Sequence, residues 1–156
     1  MKNILASFLF MTGVTAASAA PILQGKWQSD KELTTDFIKK NVRLEDKTYK
    51  FLADMMGRLT LTFTKDHIES SLPDWDVTIE GKSHHMVGFK EKQPYSIIYN
   101  IAHVIVTKGV TPVVHTEGVT TYNFDGPDIM WIYTGSSDQV LPNSHYREYF
   151  RRIKAD

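Results

Sequence analysis

From Leu59 to the end of the chain, apolar residues recur at every second position, in short runs divided by turn signals. Leu59, Leu61 and Phe63 alternate with Thr60, Thr62 and Thr64, and Trp75, Val77 and Ile79 alternate with Asp76, Thr78 and Glu80. A period of two places one set of side chains on each face of a strand. Strands are expected near 59–64, 67–72, 75–80, 83–90, 95–107, 111–124, 128–134 and 146–153. Turns are expected at Lys65-Asp66, Gly81-Lys82, Lys108-Gly109 and Asp125-Gly126-Pro127, with Gly118 a candidate bulge. The stretch from Tyr95 to Thr107 reads as one strand, apolar on both faces. Strands in such number must hide their outer edges, and closure into an antiparallel barrel does so. A two-sheet sandwich is the competing arrangement.

The chain before Leu59 has a different rhythm. Gln24–Gln28 reads as a short strand. Ser29 or Asp30 then offers an N-cap, and Leu33, Phe37 and Ile38 share one helical face as far as about Lys40. A second helix is expected from Glu45 or Asp46 to Met56. Its apolar stripe is Tyr49, Leu52, Met55 and Met56, and Gly57 stops it. The fold class expected is therefore all-β with a short helical hairpin near the N-terminus, and the barrel closed and antiparallel.

Met1 to Ala20 stands apart. Lys2 supplies a positive start, Ile4–Val14 is uniformly apolar, and small residues lead to Ala17-Ser18-Ala19. These are the three zones of a secretory signal peptide. Pro21 disfavours a cut after Ala20, so cleavage is expected after Ala19. The chain then divides into a signal peptide, 1–19, and one barrel domain, 20–156, delivered to the periplasm or secreted. No internal apolar run reaches the roughly 18 residues of a membrane-spanning helix.

Charge and cysteine content exclude several kinds of chemistry. Eighteen Lys and Arg balance eighteen Asp and Glu. A nucleic-acid binder needs an excess of cations to neutralise phosphates, so none is expected here. The absence of Cys removes disulfides, thiol nucleophiles, iron–sulfur clusters and Cys-rich zinc sites. No Gly-x-Ser-x-Gly, His-Glu-x-x-His, phosphate-cradling loop or dinucleotide fingerprint occurs. The chain is expected to be no enzyme and to carry no cofactor.

Gly25-Lys26-Trp27, just inside the mature chain, resembles the Gly-x-Trp signature of the calycins, the lipocalins and fatty-acid-binding proteins. The resemblance implies a barrel with Trp27 plugging one end and Gly25 beside it, covered by an Arg of the last strand: Arg147, Arg151 or Arg152. The helical hairpin lies where the fatty-acid-binding branch carries its lid. Arg147-Glu148-Tyr149 matches that branch's Arg-x-Tyr, whose inward side chains hold a carboxylate. The openings Trp27-Gln28-Ser29-Asp30 and the ending Arg147–Arg152 also resemble a group of small exported bacterial lipocalin-like proteins.

Arg147, Tyr149 and Arg151 fall on one face of the last strand, and a guanidinium beside a phenol can clamp a carboxylate. They are the candidate ligand-binding residues for a small hydrophobic or amphipathic molecule, such as a fatty acid or lipid fragment. Two alternatives remain. With 18 aromatic residues the barrel could be filled, acting on an envelope protein through its rim or an edge strand. Or, if a hairpin centres on Gly109, His103 faces His115 with Glu117 on the same side, a set able to bind Zn²⁺. His67 with Glu69 forms a second same-face pair. His84 and His85 face opposite ways, and Asp74 and Asp76 flank Trp75 in what reads as a turn.

Overall fold

The structure is a computed structural model and describes residues 20–110, 116–134 and 145–154. Strand β1 (Gly25–Ser29) is followed by helices α1 (Lys31–Asn41) and α2 (Asp46–Met55). Then come β2 (Thr60–Phe63), β3 (His67–Leu72), β4 (Trp75–Ile79), β5 (Lys82–Met86), β6 (Phe89–Ile101), β7 (Val104–Val110), β8 (Glu117–Phe124), β9 (Ile129–Tyr133) and β10 (Arg147–Ile153). Eight strands close an antiparallel barrel in the order β1-β10-β9-β8-β7-β6-β3-β2. The meander, not a sandwich, is the solution the alternating pattern takes.

The helices form as their sequence demands. The Asp30 carboxylate accepts from the Leu33 N–H at 3.0 Å, capping α1, and Lys39 and Lys40 sit at the negative end of its dipole. The inward faces of the helices gather Ile38, Leu52, Met56 and Tyr146 into a small core of their own. The main core lies inside the barrel, built from Trp27, Phe63, Tyr95, Ile105, Tyr122, Phe124, Met130 and Phe150 among others.

Four expectations fail for identifiable reasons. The run 95–107 is two strands, because Ala102 turns the chain at φ +47°, a conformation alanine seldom adopts and no turn residue announces. Lys108-Gly109 is not a turn but part of β7. Gly109 is needed for proximity: a Cβ there would stand 2.8 Å from the Pro94 carbonyl oxygen. Gly118 simply pairs with Gly109 in an unbroken ladder, and the bulge lies instead in β6 between Ile97 and Tyr99. Finally, β4 and β5 leave the barrel as a separate hairpin. The hairpin packs on α2 and buries Trp75 and Val77.

Candidate functional site

Register decides what faces inward. Trp27 is fully buried and pairs with Arg152 across β1 and β10, so the two side chains share a face. The Arg152 guanidinium carbon lies 4.1 Å from the centre of the Trp27 ring. Its nitrogens donate to the carbonyls of Gln24 at 2.7 Å, Pro127 at 3.1 Å and Ile22. Trp27 Nε1 donates to Leu23 O at 2.8 Å. Gly25 makes this plug possible, since at φ +123° a Cβ would stand 2.8 Å from an Arg152 nitrogen. Of the three arginines considered, Arg152 is the one that covers the tryptophan.

The same register sets Glu148 and Phe150 inward with Arg152, and Arg147, Tyr149 and Arg151 outward. The candidate ligand trio thus shares a face, but it is the barrel's outer one, and an interior carboxylate clamp cannot be built from it. Arg151 is already engaged. It forms a two-pronged pair with the Asp30 carboxylate, at 2.8 and 3.0 Å, and so ties β10 to the start of α1.

Arg147 has a different setting. Its guanidinium carbon lies 3.9 Å from the Trp131 ring centre, 5.1 Å from Phe37 and 5.5 Å from Tyr133. Two of its nitrogens reach the Tyr133 hydroxyl at 3.4 Å. The hydrogen bonds it donates to Tyr149, then to Tyr133, hold the guanidinium above its ordinary range. Trp131 also meets Tyr133 edge-on at 5.1 Å. The result is a wall of aromatic rings around one cation, with Tyr133 59% exposed.

Among the described residues, the inward side chains of the barrel pack against one another. Phe63 makes edge-to-face contacts with Tyr95 at 5.7 Å and Tyr122 at 5.3 Å, and Trp27 with Phe124 at 5.9 Å. The void left beside Ile68, Tyr95, Thr107 and Tyr122 measures about 30 Å³, space for a single water.

A carboxyl is sealed in at the helical end, near the buried Tyr146. Glu148 is buried, and its Oε1 accepts from the Ser29 hydroxyl at 2.8 Å, while Ser29 Oγ accepts from the Gly57 N–H at 3.1 Å. Burial pushes the Glu148 carboxyl up to about 7, with the Ser29 bond opposing. Sequence reasoning passed over Glu148. Only the register of β1 with β10, which sets Arg152 opposite Trp27, turns Glu148 inward.

The metal alternative comes apart. His103 sits in the β6–β7 turn, where its carbonyl accepts from Phe124 N at 2.8 Å, whereas Glu117 begins β8 and pairs with Lys108 at 3.3 Å. The length of β8, roughly 20 Å, separates the two. His115 lies outside the described residues. His67 bonds Asp66 at 2.8 Å and Glu69 pairs with Lys90 at 3.2 Å, so they too have other partners. His85 reaches Asp76 at 3.0 Å and Asp74 at 3.8 Å on the surface of the β4–β5 hairpin. Among the described residues, no three His, Asp or Glu side chains are placed to hold a metal ion. Nor is any described helix long and apolar enough to cross a membrane. No family model, curated protein or solved structure matches the chain.

Proposed function

We propose that the chain is an exported calycin-like barrel that works through its outer wall, holding a protein partner of the cell envelope. The observation that carries this reading is the packing of the interior among the described residues: the void described there, about 30 Å³, cannot enclose a lipid, whose sites run to roughly 300–1,000 Å³. The wall formed by Phe37, Trp131, Tyr133, Arg147 and Tyr149 supports the same reading. Trp, Tyr and Arg are the residues that dominate protein interfaces, because they combine large contact area with a polar tip. Among the described residues the Arg is held by rings and the Tyr133 hydroxyl rather than by a carboxylate, which leaves its charge for a partner. The three-zone start of the sequence supports export.

The test is a photo-crosslinking residue placed at Tyr133 and, as control, at exposed Ser83 on the β4–β5 hairpin. In living cells a defined adduct should form from position 133 and not from 83, and Trp131→Ser should abolish it. The protein recovered in the adduct should begin at Ala20 or Pro21. Equal adducts from both positions, or none from 133, would overturn the reading.

A further inference from the structure

The ladder between β8 and β9 opens after two pairs. Asn123 faces Trp131, and Phe124 faces Met130. Continued at the same spacing, it would set Thr121 against Tyr133, and among the described residues that pair does not form. A groove of about 420 Å³ lies there instead, walled by Val119, Thr120, Thr121, Asn123 and Tyr133. On its other side β8 stays paired with β7 throughout, from Val104↔Asn123 to Val110↔Glu117.

Both lips of the groove turn backbone groups into it. Successive residues of a strand send their N–H and C=O to opposite sides. Phe124 N–H donates on the β7 side, to His103 O at 2.8 Å, and Asp125 N–H on the β9 side, to Ile129 O at 3.1 Å. The odd-numbered positions of β8 therefore face β9, and Val119 and Thr121 do so beyond the last pair of the ladder. On β9, Thr134 N–H donates on the β10 side, to Tyr146 O at 3.0 Å, so Tyr133 turns its backbone toward the groove. Val119 and Thr121 are exposed, uncharged and β-branched. Such residues favour pairing, whereas guarded edges carry charge or proline.

Arg147 adds the charge. It rises from β10, but its guanidinium lies over Trp131 and beside Tyr133. That places it above β9, one strand spacing of about 5 Å from the groove. Its neighbours are matched, Lys108 with Glu117 at 3.3 Å and Arg151 with Asp30 at 2.8 Å. Among the described residues no carboxylate answers Arg147.

Resting on the outer-wall reading above, we infer that the partner enters this groove as an extended strand, pairs its backbone with the β8 edge and sets an Asp or Glu against Arg147. A second copy of the chain pairing through the same edge would bring another Arg147 to that face, and not the carboxylate this one lacks.

The test extends the crosslinking in cells. A benzoylphenylalanine at Val119 should capture the same partner as one at Tyr133, through a peptide with Asp or Glu within about two residues of the link. Thr121→Pro removes an N–H that β7 does not use and puts a ring on the lip of the groove, so the β7–β8 ladder survives. The adduct from position 133 should then fall at least about tenfold. Val119→Pro should act alike, with urea unfolding showing that both variants are folded. Arg147→Gln should also lower the yield at least about tenfold, and Arg147→Lys, which keeps the charge, should retain more of it. The arginine pair decides where a proline variant does not fold. An adduct of twice the chain's own mass would assign the edge to a second copy and overturn the inference. Full yield from position 133 in the folded proline variants, or equal yields from Arg147→Lys and Arg147→Gln, would overturn it and leave the outer-wall reading standing. No adduct from position 133 in the otherwise natural protein would overturn both.

Discussion

Replacing Glu148 by Gln should make the protein more stable above neutral pH. The folded protein holds this carboxyl at about 7 instead of the ordinary 4.5, because burial opposes its charge. Between those two values the folded state keeps a proton that the unfolded chain releases. Stability contributed by the protonated group is fully present below pH 4.5, and is lost as pH rises through about 7. At about 1.4 kcal/mol per pH unit, the loss amounts to about 3 kcal/mol by pH 8. Gln keeps an acceptor for Ser29 and never ionises. Urea unfolding of both proteins from pH 4 to pH 9, followed by tryptophan fluorescence, isolates the effect. Every other titrating group is common to the two, so the difference between them belongs to position 148. The variant should match the natural protein near pH 4 and exceed it by about 3 kcal/mol at pH 8. A difference that stays constant across the range would refute the reasoning, and so would a natural protein that is the more stable of the two at pH 8.

Two further substitutions probe the frame. Trp27→Ala removes a fully buried indole and the surface on which Arg152 rests, and should cost about 3–5 kcal/mol in the same unfolding assay, with a loss below about 1 kcal/mol contradicting the plug. Asp30→Ala removes the α1 cap and frees Arg151, and should cost about 1 kcal/mol, whereas Arg151→Ala should cost well under that, since the arginine is half exposed; equal costs would place the stability in the ion pair instead.

The parts of the fold that were legible rest on local chemistry. Asp30 was one of two residues able to cap α1, and it does. The turn at Lys65-Asp66 gave β3, His67–Leu72, its observed start, and Gly25-Lys26-Trp27 led to a barrel plugged by a tryptophan under a last-strand arginine. What escaped depends on partners distant in sequence. Nothing in Asn100-Ile101-Ala102-His103 marks a turn, and only the pairing of β6 with β7 forces Ala102 into its positive φ. The inward face of β10 follows from its pairing with β1, 127 positions away between Lys26 and Ile153, and not from its own alternation, which is polar on both faces. The site reading failed there: Arg147 and Tyr149 have the right spacing for a clamp and the wrong parity. Whether the interior was hollow depended on which aromatics pointed inward, and composition alone could not sort them.

The joining of β1 to β10 also governs when the molecule can exist. The strand that emerges first must pair with the strand that emerges last, and the buried bond from Ser29 to Glu148 spans 119 positions. Contacts so distant in sequence carry a large loop-closure cost and form slowly. A chain made or threaded from its N-terminus can assemble its helices, and pair its inner strands one by one, but the ring stays open until the final residues are free. Until that moment β1 offers one unsatisfied edge, and Trp27 waits without its arginine. The barrel therefore locks only when β10 is free to close against β1.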